Sequence, residues 1–126
     1  MKFQLISAAL LAGALVAAPA GAHPKLTAAS PAENATVVRP ARIQLRFSES
    51  LMPKLSGGTL VMTAMPGMSG HQPMAINGVK SSIGADGKTL VLIPTSPLGA
   101  GTYQIEWHAV SRDTHRVSGK YSFTVR

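Results

Sequence analysis

Apolar and polar residues alternate along several stretches of the chain, and this alternation predicts β-strands. In the stretch RIQLRFS, Ile43, Leu45 and Phe47 alternate with polar neighbours, as expected for a strand with one buried face. The stretches GTYQIEWHAV (101–110) and GKYSFTV (119–125) have the same period of two. The residues predicted to face the core in these two stretches are Tyr103, Ile105, Trp107, Ala109, Tyr121, Phe123 and Val125.

Two shorter apolar runs, GTLVMTA (58–64) and TLVLIP (89–94), complete the predicted strand set. The second run follows an Asp86-Gly87 pair, which is typical of a hairpin turn because glycine tolerates a positive φ. No stretch has a convincing amphipathic helical period. Short strands separated by glycine and proline turns predict an all-β, single-domain antiparallel sandwich or barrel with Greek-key connections.

Residues 1–22 have the pattern of a secretory signal peptide. Lys2 precedes an almost wholly apolar run over residues 5–16, and Ala20-Gly21-Ala22 offers small residues at a cleavage site. A retained N-terminal anchor is the alternative, but the run is short for a membrane span. We therefore expect an exported protein whose mature domain spans residues 23–126.

The amino-acid composition argues against several classes of protein. The chain has no cysteine, which excludes both a disulfide framework and a thiolate-dependent blue-copper centre. Its net charge is +7, and the basic residues are scattered without interleaved aromatic residues. This distribution favours a solvated cationic surface over a nucleic-acid interface.

A methionine-rich segment, MTAMPGMSGHQPM, spans residues 62–74. Met62, Met65, Met68, His71 and Met74 recur at every third position, and the prolines and glycines between them predict a turn-rich loop without strand or helix. On a polyproline-II-like path, which has three residues per turn, all five side chains would project to one side. Neutral thioethers are soft ligands that select Cu(I). A flexible loop with apolar anchors and a hydrophobic contact surface for a partner are the alternatives.

A second set of donors lies at the predicted mature N-terminus and near residue 113. Cleavage would give His23 a free α-amine beside its imidazole, and Pro24 has no amide proton for a metal to displace. Asp113 and His115 are two residues apart, so an extended chain points both side chains the same way. Such nitrogen and oxygen donors suit Cu(II), and Glu49 could act as an outer or weak ligand. Taken singly, Asp113 also fits a turn cap and each histidine an ordinary surface residue, and the sequence does not show that they converge.

The other residues that could take part in a functional site are weaker candidates. His108 shares the predicted outer face of its strand with Gln104 and Glu106, so we expect it to be exposed and non-ligating. Met52 is expected in the core. Ser111 and Ser118 lack the neighbours of a nucleophilic triad, and no phosphate-binding glycine loop is present.

Five stretches of the chain together resemble the CopC family of periplasmic copper-resistance proteins. They are HPKL, LVMTAMPGM, HQPM, GTYQIEWHAVSRDTH and the final FTV. The resemblance covers essentially all of residues 23–126. It implies a cupredoxin-like or Ig-like Greek-key β-barrel in the periplasm. It further implies that the protein binds copper and passes it to partners, namely an inner-membrane CopD-like transporter and other periplasmic copper proteins.

The resemblance also implies two sets of ligands. The Cu(II) ligands correspond to His23, Asp113 and His115. The Cu(I) ligands correspond to Met62, Met65, Met68, His71 and Met74. MSGHQPM has one residue more between Met68 and His71 than the family pattern. Whether His71 ligates, and which methionines act together, therefore stays open.

We expect an exported copper carrier, not an enzyme, with no catalytic residues. One alternative is a histidine-brace copper mono-oxygenase. It is disfavoured because Asp113 would take a position that O₂ requires, and because the aromatic residues of the mature chain lie on predicted core faces. The other alternative is a β-sandwich interaction module that binds no metal.

Overall fold

The computed structural model describes residues 23–68 and 72–126, which form β-strands and no helix. The predicted leader, residues 1–22, and His71 lie outside the described residues. The strands in chain order are β1 (Leu26–Ser30), β2 (Thr36–Val37), β3 (Ile43–Phe47), β4 (Gly57–Ala64), β5 (Met74–Ala75), β6 (Val79–Ile83), β7 (Thr89–Pro94), β8 (Gly101–Val110) and β9 (Arg116–Val125).

The strands form two sheets that pack face to face. One sheet has the order β1-β3-β7-β6, and the other has the order β2-β9-β8-β4-β5. The chain passes from one sheet to the other after β1, β2, β3, β5 and β7, so neighbours in a sheet are often distant in sequence. All pairings are antiparallel except that of the short β2 with β9. The predicted all-β sandwich is confirmed, with this one parallel pairing as a departure.

The core lies between the sheets and contains the residues that alternation predicted. Ile43, Leu45 and Phe47 of β3 are fully buried. The residues buried from β8 and β9 are Tyr103, Ile105, Ala109, Tyr121, Phe123 and Val125. Trp107 is only half-buried, and its ring packs edge-on against Phe47 with centroids 5.1 Å apart.

Two hairpins illustrate how local sequence determines the connections. Between β6 and β7, the Asp86 carboxylate accepts the amide protons of Lys88 and Thr89 at 2.9 and 3.0 Å, and Gly87 has a φ of 73°. The turn predicted at Asp86-Gly87 is therefore confirmed. Between β8 and β9, ten consecutive residue pairs run from Gly101↔Val125 to Val110↔Arg116. This long hairpin places residues 111–115 at one end of the sandwich.

Candidate metal centre

The turn that joins β8 to β9 is closed by backbone hydrogen bonds. The amide of Ser111 donates to the carbonyl of His115 at 3.0 Å, and the amide of Thr114 donates to the carbonyl of Ser111 at 2.9 Å. Thr114 has a φ of 72°, which is unusual for a β-branched residue. The turn therefore holds Ser111, Asp113 and His115 in a defined arrangement.

The side chains of Asp113 and His115 are paired. Asp113 Oδ2 lies 2.8 Å from His115 Nδ1, and Asp113 Oδ1 accepts a hydrogen bond from the Ser111 hydroxyl. These bonds, first that from Ser111 and then that from His115, lower the pKa of the Asp113 carboxyl to about 2. The carboxylate is therefore ionised at any pH near neutrality. Both side chains remain open to solvent, with exposed fractions of 39% for Asp113 and 51% for His115.

His23 reaches this pair from the other sheet. Its ring centroid lies 4.5 Å from that of His115, with the two rings tilted by 54°. The adjoining segment is held against the end of β3: the Lys25 amide donates to Ser48 Oγ at 2.9 Å, and the Ser48 amide donates to the Lys25 carbonyl at 2.9 Å. Pro24 is buried between these contacts and His23. The fold thus brings together two imidazoles and a carboxylate that are far apart in sequence.

The three groups are close but do not form a finished set of ligands. Within residues 23–68 and 72–126, no three His, Cys, Asp or Glu side chains are arranged to hold a metal ion. The α-amine proposed as a further donor forms only when the peptide bond before His23 is cut. A metal ion at this place would therefore need the side chains in an arrangement different from the one described.

Glu49 lies on the same side of the molecule as this pair. It lines a cleft together with Ser50, Ser111, Arg112 and Asp113. The structure thus places Glu49 in the same cleft as Asp113.

Ser111 is a functional candidate that the sequence analysis set aside. Its side chain is buried, and its hydroxyl contacts both the Asp113 carboxylate and, at 3.4 Å, the carbonyl of His115. The available signal was the spacing: Ser111, Asp113 and His115 alternate, so an extended chain puts them on one side. The Ser111 hydroxyl therefore helps to fix the orientation of the Asp113 carboxylate.

The methionine-rich segment differs from the predicted strandless loop. Met62 belongs to β4 and Met74 to β5, and these two residues are direct cross-strand partners. Met65 and Met68 form an isolated bridge, with the Met68 amide donating to the Met65 carbonyl at 3.0 Å. The prediction of a polyproline-II-like path was therefore wrong. Pro66-Gly67, with Gly67 at a φ of 73°, makes a tight turn that lets the flanking residues pair. We call residues 62–68 and 72–74 the methionine hairpin.

A β-bulge sets the face on which these methionines lie. Met62 pairs with Tyr103 and Ala64 with Thr102, so β4 has one residue more than β8 at Thr63. The extra residue shifts the alternation, and Met65 returns to the face of Met62. The direct pairings then add Met68 and Met74 to that face.

The four methionines differ in their exposure. Met62 is half-buried and packs against the core, with its methyl group close to Gly101. The other three are exposed: Met65 41%, Met68 56% and Met74 54%. The hairpin therefore combines one anchored thioether with three accessible ones.

The two donor groups lie at opposite ends of β8. The methionine hairpin adjoins the Gly101 end, and the Asp113–His115 pair follows the Val110 end. At about 3.3 Å per residue, the strand separates them by about 25–30 Å. An ion held by one group cannot be shared with the other.

His108 is less exposed than its strand position predicted. Its ring lies over Gly57, with ring atoms about 3.4 Å from the place where a Cβ of residue 57 would lie. Burial, and secondarily the charge of Arg116, lowers the pKa of the His108 imidazole.

Met52, expected in the core, is half-buried and lines a surface groove. In the described part of the chain, no helix is long and apolar enough to cross a membrane.

The fold defines a two-sheet β-sandwich whose exposed imidazole, carboxylate and thioether groups lie at the two ends of one long strand. A family model described as the CopC domain matches residues 26–126, and the chain belongs to the CopC family.

Similar proteins agree with this assignment. The chain is 53% identical over 115 residues to copper resistance protein C of Pseudomonas syringae pv. tomato, covering 91% of this chain and 90% of that protein. It is 48% identical over 126 residues to copper resistance protein C of Escherichia coli, covering 98% and 99%. The crystal structure of PcoC, a methionine-rich copper resistance protein from Escherichia coli, superimposes with a TM-score of 0.76 at 48% identity, covering 83% of this chain and 100% of that one.

Proposed function

We propose that this protein is an exported copper carrier that acts in copper resistance. It would hold Cu(II) at His23, Asp113 and His115, and Cu(I) in the methionine hairpin. The observation that carries the proposal is the contact between the rings of His23 and His115, beside the Asp113 carboxylate, across the two sheets. The names of the relatives, which are copper resistance proteins, support the choice of metal.

The first site offers nitrogen and oxygen donors, which suit Cu(II). When His115 Nδ1 donates to Asp113, the neutral ring keeps its lone pair on Nε2, and this nitrogen is then available to the ion. Asp113 can also act as a ligand, because its two carboxylate oxygens keep lone pairs beyond those that face Ser111 and His115. The ionised state of Asp113 favours metal binding, because no proton has to be displaced.

The second site offers thioether sulfur, which suits Cu(I). The bulge at Thr63 and the turn at Pro66-Gly67 bring Met62, Met65, Met68 and Met74 to one face. The name of PcoC, described as methionine-rich, is consistent with a role for these residues. His71 remains a proposed additional ligand outside the described residues.

The exposure of the candidate ligands favours transfer of copper to a partner protein. Because the candidate donors at both sites are largely open to solvent, a ligand of a partner can approach the ion before all the original ligands have left. We propose a CopD-like inner-membrane transporter and other periplasmic copper proteins as partners. Reduction would favour the methionine hairpin, and oxidation would favour the His23 site.

Export rests on residues 1–22, which we propose as a leader removed after Ala22. Export would place the protein in the periplasm, and removal of the leader would create the α-amine of His23. We do not assign an enzymatic role. Of the aromatic residues in the described part of the chain, Phe47, Tyr103, Tyr121 and Phe123 are buried and Trp107 is half-buried, so they do not form the flat binding face that a polysaccharide oxidase needs.

The proposal is tested by titrating the mature protein, beginning at His23, with Cu(II) and then with Cu(I) under reductant. EPR should report nitrogen and oxygen ligation of Cu(II), and X-ray absorption should report sulfur neighbours of Cu(I). A version with one glycine added before His23 keeps the imidazole but moves the α-amine, and should lose Cu(II) affinity alone. If Cu(I) shows no sulfur neighbours, the methionine hairpin is a contact surface and the two-site proposal is wrong.

A further inference from the structure

An open groove of about 720 Å³ lies beside the candidate Cu(II) site. Its walls are residues 51–54, residues 83–85 with Gly87, and Arg112. Leu51 is buried, while Met52 and Ile83 are half-buried, so the lining is largely apolar. Lys54 and Arg112 are the two cationic side chains among the lining residues, and both are exposed.

These two cations have no anionic partner in the described part of the chain. The one salt bridge between described residues joins Asp113 to His115. No described carboxylate therefore lies within ion-pair distance of Lys54 or Arg112. An apolar groove with two unpaired positive charges is complementary to a ligand that combines an apolar group with negative charge.

The groove is connected to the candidate Cu(II) site through the backbone. Leu51 bridges to Ser111, and its amide donates to the Gly87 carbonyl at 2.8 Å. The Met52 amide donates to the Val110 carbonyl at 2.8 Å, directly before the turn that holds Asp113. Arg112 lines both the groove and the cleft that contains Glu49 and Asp113. A molecule seated in the groove would therefore lie beside the donors of that site.

We propose that this groove docks the protein that exchanges copper with the His23–Asp113–His115 site. The docking element is an extended segment of that partner with an apolar side chain next to one or more carboxylates. The inference rests on the proposed function. A second copy of this chain fits less well because the full chain has a net charge of +7, to which the proposed leader contributes only Lys2, so two mature copies repel one another.

The probe for this test is a blocked peptide of sequence Asp-Leu-Phe-Glu, added to ¹⁵N-labelled mature protein and followed by NMR. We expect saturable shifts confined to residues 51–54, 83–87 and 110–113. A blocked Lys-Leu-Phe-Lys peptide should produce no saturable shifts. The double variant Lys54→Glu/Arg112→Glu should bind the acidic peptide at least about tenfold more weakly, because like charges across an interface repel.

A matched control separates the groove from overall charge. The variant Lys80→Glu/Lys120→Glu makes the same change of net charge at two exposed lysines outside the groove, and should bind the acidic peptide much as the wild type does. Equal binding of both peptides, shifts outside the groove, or equal losses in the two double variants would overturn the proposal. The spectra of the variants also show whether each is folded.

Two further outcomes would reassign the groove. If the peptides do not bind but vesicles of anionic phospholipid bind and the groove variant abolishes that binding, the groove is a lipid-binding surface and the proposal is wrong. If the groove signals broaden with protein concentration alone, the groove is an interface between copies, and again the proposal is wrong. Failure of the copper titrations with intact peptide binding would instead refute the copper function and leave an acidic-peptide groove.

Discussion

At the scale of single residues, the Asp113 carboxylate contacts two groups of its own turn, the Ser111 hydroxyl and, at 2.8 Å, His115 Nδ1. The interval of two between Asp113 and His115 predicted that these two side chains point the same way. The same interval places Ser111 on that side, but its hydrogen bond to Asp113 also depends on a turn in which Thr114 has a positive φ. A threonine in that conformation has no clear sequence signal.

The low pKa of Asp113 predicts how its carboxylate affects stability. The pKa is lower in the folded chain, at about 2, than in an unfolded chain, where it is about 3.9. Its contribution is therefore fully present above about pH 4 and is lost as the pH falls towards 2. We expect Asp113→Asn to melt below the wild type at pH 6 and the two to converge near pH 2, as measured by circular dichroism. A constant difference across that range would contradict this account.

Removing the Ser111 hydroxyl should weaken Cu(II) binding without removing a ligand. In Ser111→Ala the carboxylate of Asp113 loses its first hydrogen bond and its fixed orientation. We expect a loss of about 10- to 100-fold in Cu(II) affinity, the range typical of groups that orient metal ligands. Competition titration measures the change, and Ser118→Ala, at an exposed serine of β9, should leave affinity unaltered.

At the scale of elements, the alternation of apolar and polar residues predicted the strands that have one buried face. It did not predict the strands that lack such a face. β3 and β8 were predicted to within one residue of their ends, whereas the prediction for β9 began at residue 119 and missed its first three residues. β1 and β6 were missed because all of their residues are exposed or only half-buried, so neither strand has a buried apolar face. β5 is two residues long. In the methionine hairpin, methionines three residues apart do share one face, as predicted. A bulge and a tight turn, rather than a polyproline-II-like helix, bring them there.

Gly101 is required where β8 passes the bulge. A Cβ there would lie 2.6 Å from the Ala64 carbonyl oxygen and 3.1 Å from the Met62 methyl carbon. We expect Gly101→Ala to destabilise the protein by about 1–3 kcal/mol, as overpacking does, and to weaken Cu(I) binding by displacing Met62. Chemical denaturation and Cu(I) competition measure the two effects. Gly99→Ala, which meets no atom within 4 Å, is the matched control and should change neither.

At the scale of the whole molecule, packing between two sheets must supply stability, since the chain contains no cysteine. The fold class and most core residues were predictable because they depend on a period of two. The approach of His23 to His115 was not, because it depends on how two sheets stack, which no local pattern encodes.

Bound copper should stabilise the folded protein. An ion that binds only the folded chain stabilises it by about 2.7 kcal/mol at a free concentration one hundred times its Kd. We expect the melting temperature of the mature protein to rise with Cu(II) concentration and to return to its starting value with EDTA. In His23→Ala the rise should largely disappear, while a rise that persists would place the ion elsewhere.

The contact between His23 and His115 has a topological consequence. An ion held by both residues would join the first residue of the proposed mature chain to a point near its end, and so close almost the whole chain into one loop. Cross-links that close long loops restrict the unfolded chain most. They also prevent the N-terminal edge strand β1 from detaching first. Hydrogen exchange of β1 amides should therefore slow when Cu(II) is bound, whereas filling the methionine hairpin should leave it unchanged.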